Sequence, residues 1–223
     1  MTRKNSRNGY HFNHKYWQDY KKQIPPITGQ LWQVATAMSL SDASVYKVSR
    51  EAYIKFEQGY KQKEFLYHLF HLFKGYCFME EPGLRYELRG TRVGKIKSYW
   101  FKTFSHNGFT PLWHLLYING RKSIEEQFLL QQLTPCSLAY WIMSDGSLHH
   151  GGKTMLLHTQ SFNWEENKII CGVLQKKFKL NCKVIPHKTK YSVVEISGKS
   201  APLLRKLLIP FLIPSMMYKL PRE

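Results

Sequence analysis

Two rhythms of apolar residues run along the chain. In "REAYIKFEQG" (residues 50–59), Ile54 and Phe56 alternate with Tyr53, Lys55 and Glu57, the period of two that predicts a half-buried strand. "GLRYELRG" (83–90) alternates in the same way, with Leu84, Tyr86 and Leu88 opposite Arg85, Glu87 and Arg89. "GKIKSYWFKTF" (94–104) follows as a second strand across the turn-prone "RGTRVGK". "QKEFLYHLFHLFK" (62–74) instead has apolar residues at 65, 66, 69, 70, 72 and 73, the spacing of an amphipathic helix that Gly75 ends. Thr28 is placed to cap a helix over residues 29–40, and "FTPLWHLLYI" (109–118) predicts another. Residues 1–25 show neither rhythm and read as irregular.

The order then returns. Thr134 is a good N-cap, and Pro135 at the first helical position loses no bond by lacking an N–H. That apolar helix ends at Asp145, after which "HHGGK" turns into a strand "TMLLHTQ" (154–160). Asn163 with Glu166 makes a capping box for a helix over 164–178. "CKVIPHK" and "KYSVVEI" pair across "HKTK", and residues 200–212 form a last helix. The recurrence predicts an α+β fold of two pseudo-symmetric αββαββ repeats, 28–125 and 126–223, preceded by a basic arm, 1–27.

Each repeat sets one aspartate at the end of its first helix: Asp42 in "MSLSDASVY" and Asp145 in "LTPCSLAYWIMSDGSL". A carboxylate there meets the negative end of the helix dipole. If the two helices pack together, with Ala35, Ala37, Ser39 and Ala139 allowing close approach, the two acids converge and repel one another. Divalent cations relieve that repulsion. Mg²⁺ suits carboxylate and water oxygens and borrows phosphate oxygens from a substrate, and a metal pair activates water and stabilises a leaving oxygen. Asp42 and Asp145 are therefore the expected metal ligands, with Mg²⁺, or alternatively Mn²⁺, as cofactor.

Charge changes the picture next. Lys and Arg outnumber Asp and Glu by 33 to 15, a net +18 spread along the chain, which calls for a polyanionic partner. Nucleic acid comes first, because each phosphate neutralised releases a counterion. No uninterrupted apolar run of about 18 residues exists, and "LLIPFLIPSMM" is broken by Pro210 and Pro214, so no membrane partner is expected. Cys77, Cys136, Cys171 and Cys182 lack paired spacing and read as reduced core thiols. His149, His150 and His158 lack metal-ligand spacing and read as polar surface or DNA contacts. The basic start has no apolar h-region and too little Ala and Leu for a transit peptide.

"LTPCSLAYWIMSDGSL", "LLHTQSFNWEEN" and "LIPSMMYKLP" resemble the second half of single-chain LAGLIDADG homing endonucleases encoded in organellar introns, and "SLSDASVYK" resembles their first motif. The resemblance runs from about residue 28 to 221, departing at Ser144, where an Asp is frequent, and at Ser41, where Gly is usual. It implies saddle-shaped sheets in the DNA major groove and a metal-dependent double-strand cut at one long, rare site. It also implies Asp42 and Asp145 as catalytic acids and Lys219 as the basic residue behind the second, with Lys102 the first-half candidate by strand position. Double-stranded DNA is then the expected partner of a monomer, in an organelle. Lys55, Arg85, Arg89 and Lys97 in the first repeat are the expected contacts, with Lys153, His158, Gln160, Lys183, Lys188 and Lys190 in the second. Two other classes share the scaffold: an intron maturase that binds RNA, and a catalytically inactive DNA-binding relative.

Overall fold

The alternation in "AYIKFEQ" becomes strand β2 (Glu51–Gly59), whose buried residues Ala52, Ile54, Phe56 and Gln58 face inward. The computed structural model describes residues 6–222; residues 1–5 of the expected arm lie outside the described residues. β2 joins β1 (Ser44–Val48), β3 (Gly83–Tyr86) and β4 (Ile96–Lys102) in an antiparallel sheet of order β1-β2-β4-β3. Further along, β7 (Gly146–His149), β8 (Thr154–Leu157), β9 (Cys182–His187) and β10 (Tyr191–Ile196) form a second sheet of order β7-β8-β10-β9. The same order twice is the expected repeat. Strands β5 (Tyr117–Ile118) and β6 (Arg121–Lys122) make a small hairpin between them.

Helix α3 (Lys63–Phe73) buries Phe65, Leu66, Leu69, Phe70 and Phe73 against the first sheet, where Phe56 stacks on Phe101 at 4.5 Å and meets Phe73 at 5.0 Å. Helix α7 (Trp164–Phe178) does the same for the second sheet through Ile170, Val173 and Leu174. Thr134 caps α6 (Pro135–Asp145) as expected, with Ser137 completing a capping box, and the expected box of Asn163 with Glu166 opens α7. α8 (Ala201–Leu208) stops short of the expected residue 212, two residues before Pro210. All four cysteines are free and buried, and burial pushes the Cys171 thiol up to about 11 and that of Cys182 to about 12. No helix among the described residues is long and apolar enough to cross a membrane.

Five expectations are corrected. Residues 15–23 are a helix, α1 (Lys15–Gln23), capped by the His14 side chain. Trp17, 1% exposed, packs on Phe104 and under the Arg7 guanidinium, so part of the basic arm belongs to a core. β1 ("SVYKV") and α5 (Glu126–Gln132) fill two stretches with no expected element. The strand expected over 83–90 ends at Tyr86 after a shift of register beside Arg85, which leaves Leu88 85% exposed. The predicted helix over 109–118 is α4 (Thr110–Leu116), which gives way to the β5–β6 hairpin at Tyr117.

The chain divides into two compact units. One holds the chain up to Leu31 with Asp42–Trp113; the other holds Trp32–Ser41 with the chain from His114 onward. These limits follow packing and differ from the repeat limits read at residues 27 and 125. Most of helix α2 (Gly29–Leu40) thus lies in the second unit, where Trp32 Nε1 donates to Gln132 Oε1 at 2.6 Å and Thr134 Oγ1 to Gln33 Oε1 at 2.6 Å.

Candidate active site

Asp145 is the last residue of a helix with no polar face. Cys136 through Ser144 are all buried, and Asp145 is the first residue to reach half exposure. Its own carbonyl accepts from His158 N at 2.9 Å, which ties the helix end to the strand beyond β8. The next residue has to be glycine. A Cβ on Gly146 would stand 2.6 Å from Ile142 O and 2.7 Å from its Cγ2.

Lys219 closes the end of α6. Its side chain, on a residue 5% exposed, donates to Ile142 O at 3.3 Å, to Met143 O and to Ser144 O at 3.1 Å. Ile142 O also accepts from the C-cap Gly146 N, whereas Met143 O and Ser144 O belong to the last turn, where a helix supplies no backbone donor of its own. The ammonium satisfies them and offsets the helix dipole where the acid stands. The C-terminal segment carrying Lys219 is pinned by Arg205 Nη1 on Pro221 O at 2.6 Å and by Arg222 N on Gly152 O at 2.8 Å.

The first acid is set in a similar way. Ser41 closes α2 by donating its hydroxyl to Ala37 O at 3.1 Å and Met38 O at 3.2 Å. Asp42 follows, exposed, and its Oδ2 accepts from Nε2 of the buried Gln58 at 3.0 Å. Lys122, on β6, donates its Nζ to Ser41 O at 3.3 Å. Lys122 therefore holds the carbonyl just before Asp42 as Lys219 holds the carbonyl just before Asp145. Lys102, the residue expected in this role, lies on β4 with its ammonium over the rings of Phe12, Tyr53 and Phe78 at 5.6–5.9 Å. Strand position misled because those rings come partly from an arm read as irregular. A signal for Lys122 existed: in each repeat the lysine follows the last helix, α4 or α8.

The polar face of the first sheet gathers around Glu57. Its carboxylate pairs with Lys55 at 2.6 Å and Arg85 Nε at 3.2 Å and accepts from Ser98 Oγ at 2.6 Å. Burial pushes the Glu57 carboxyl up, but the bonds from Lys55 and Ser98 and the charges of Lys55 and Arg85 outweigh it and hold it below the usual range. Arg85, Arg89 and Lys97 line an open cleft of about 480 Å³ with Glu57 at its wall. On the second sheet Lys183 pairs with Glu195 at 3.0 Å, and Lys153, Lys188 and Lys190 are exposed. His158 is held by Ser147 Oγ at 2.7 Å and Gln160 Nε2 at 3.3 Å, with His187 edge-on at 5.9 Å. Burial first, then the charges of His187 and Lys219, lowers its imidazole below the usual range. His149 is exposed, and the His150 side chain lies outside what is described.

Among the described residues no three His, Cys, Asp or Glu side chains gather as a ready metal cage. The donors on offer are two single carboxylates at helix ends, hard oxygen ligands that fit a cation completing its shell with water and phosphate oxygens.

Residues 32–204 match the LAGLIDADG DNA endonuclease family. Over 93% of its length the chain is 31% identical to a probable intron-encoded endonuclease of Wickerhamomyces canadensis, covering 91% of that protein. It is 47% identical to a probable intron-encoded DNA endonuclease of Mycosarcoma maydis over 58% of its length and 98% of the relative. A cytochrome b mRNA maturase of Debaryomyces hansenii is 33% identical over 87% of this chain and 75% of its own. Among solved structures, the homing endonuclease I-WcaI bound to its DNA recognition sequence superposes with a TM-score of 0.88 at 30% identity, covering 96% of both chains.

Proposed function

Because the chain belongs to the LAGLIDADG DNA endonuclease family, we propose that it cuts both strands of a long target site in DNA, with Asp42 and Asp145 as its catalytic acids and metal ligands. One observation carries the assignment of residues. Each of these acids follows a buried helix, and a lysine ammonium holds the carbonyl just before each one, Ser41 O by Lys122 and Ser144 O by Lys219.

The chemistry follows from charge. A phosphodiester brought to either helix C-terminus meets a dipole end and a carboxylate, both negative. Lys122 and Lys219 neutralise the dipole ends through main-chain carbonyls. Divalent cations bound to Asp42 and Asp145, Mg²⁺ being the favoured species, supply activation of water and stabilisation of the leaving oxygen. Lys102 keeps a role on the sheet, beside Lys55, its partner in the ladder. Arg85 and Arg89 read base edges, while Lys55, Lys97, Lys153, Lys183, Lys188 and Lys190 hold phosphate, with His158 and Gln160 near the cut. The chain acts as a monomer on an asymmetric site, in the organelle whose intron encodes it.

The test is cleavage of a duplex joining the sequences that flank the host intron, with Mg²⁺. Asp145→Asn is expected to abolish double-strand cleavage while the same duplex is still bound specifically. Full cleavage by that variant would remove Asp145 from the site.

The maturase relative supports a second reading, in which the basic sheets bind folded intron RNA. Rescue of splicing by the Asp145→Asn protein would establish it as a separate activity of the same scaffold.

A further inference from the structure

Glu166 does more than cap α7. Its residue is buried, 6% exposed, and its Oε2 accepts from Asn163 N at 2.7 Å to complete the capping box. The carboxylate then continues outward. Oε1 accepts from Ser123 Oγ at 2.9 Å and from Ile124 N at 3.3 Å, and Oε2 pairs with Arg121 Nη2 at 3.4 Å. Three residues are gripped, 121, 123 and 124, and the one between them is Lys122. Every one of these residues, and Ser41 on which Lys122 rests, belongs to the same compact unit.

A capping box needs only one acceptor from its third residue, and glutamine serves as well as glutamate. Four donors on two oxygens need a carboxylate. The second oxygen has no function in the cap and is spent entirely on the segment that carries Lys122. β6 is two residues long; beyond its ladder with β5, one backbone bond, Ser123 N to Leu116 O at 2.9 Å, holds its far end, and Glu166 adds the side-chain grip there.

We propose that Glu166 is a positioning residue for cleavage: it clamps Arg121, Ser123 and Ile124 so that Lys122 Nζ is held at the carbonyl preceding Asp42. The proposal rests on the endonuclease reading and on the role given there to Lys122. It couples the N-terminus of a second-repeat helix to the acid of the first motif.

Glu166→Gln separates clamp from cap. The amide oxygen keeps Asn163 N, and the amide NH₂ turns toward Ile124 N–H, which it repels, and toward Ser123 Oγ, whose hydroxyl must reverse to accept from it. Single-turnover cleavage by this variant is expected to fall about tenfold with DNA affinity within twofold of wild type. In a Lys122→Met background, Glu166→Gln should add less than a twofold loss, because the lysine it positions is gone. Hydrogen exchange should quicken in a peptide covering residues 117–125 and stay unchanged at the start of α7. Ser123→Ala, which leaves the cap untouched, should slow cleavage in the same direction. A merely structural Glu166 would lower cleavage and melting temperature together and act independently of Lys122; that result overturns the proposal. So does wild-type cleavage by Glu166→Gln, or unchanged exchange at 117–125. A wild-type protein that cuts no such duplex overturns the endonuclease reading and this proposal with it.

Discussion

Single residues set what the two sheets can read and how the two acids are held. Glu57 is an acid on the face proposed to meet DNA, and its ion pairs fix Lys55 and Arg85 in place. Removing it should loosen both. Glu57→Ala is expected to bind random DNA more tightly while losing about 1–3 kcal/mol of discrimination at the base pair Arg85 reads, measured by competition among single-base-pair variants of the target. The folded carboxyl lies below its ordinary range, so its stabilising contribution is present above that range and fades as pH falls through the folded value. The stability gap between wild type and Glu57→Gln should narrow on acidification accordingly. The two lysines differ in a way that melting curves resolve. Lys219→Met removes the ammonium from Met143 O and Ser144 O, while Ile142 O keeps Gly146 N, a loss of about 1–3 kcal/mol for such unsatisfied groups. Lys122, half exposed on one carbonyl, should cost little stability as Lys122→Met, yet both variants should cleave poorly.

At the scale of elements, the ends of helices matter more than their middles. α6 is buried from Cys136 to Ser144, and its last residue, the proposed catalytic acid, is the one that emerges. Gly146 has an extended backbone that any residue adopts, φ −80° and ψ 144°. Its requirement is space, since Ile142 and Met155 Sδ crowd the position of a Cβ. Gly146→Ala is expected to destabilise by about 1–3 kcal/mol and to displace Asp145, so that thermal melts and cleavage fall together while the α7 cap is untouched. α1 shows the opposite case, a helix with a polar surface whose value lies in its middle. Trp17 fills a core site against Phe104, and Tyr20 reaches Gly75 O at 3.0 Å.

For the whole molecule, charge is the governing quantity. A net +18 makes binding to DNA a counterion-release process. Affinity for the target duplex should fall with log–log slopes of about −0.9 per phosphate contacted, and titrations at several salt concentrations measure it. A nearly flat salt dependence would mean that the charge faces another partner. Two different repeats in one chain also predict one chain per duplex, which separation by size with and without DNA reports directly.

What the sequence by itself determined is local or repeated. Thr134 and Asn163 as caps, the alternation through Ile54 and Phe56, and an acid at each helix end all depend on neighbours within a turn or a strand. Those interactions are short-range, so their residues lie together in the chain and are read together. The tertiary structure alone decided which distant groups meet. Lys122 reaches Ser41 across 81 positions, Trp17 finds Phe104, and Glu166 grips a hairpin far upstream of its helix. No periodicity encodes such contacts, because the free energy that makes them comes from packing between elements and is absent until those elements are brought together.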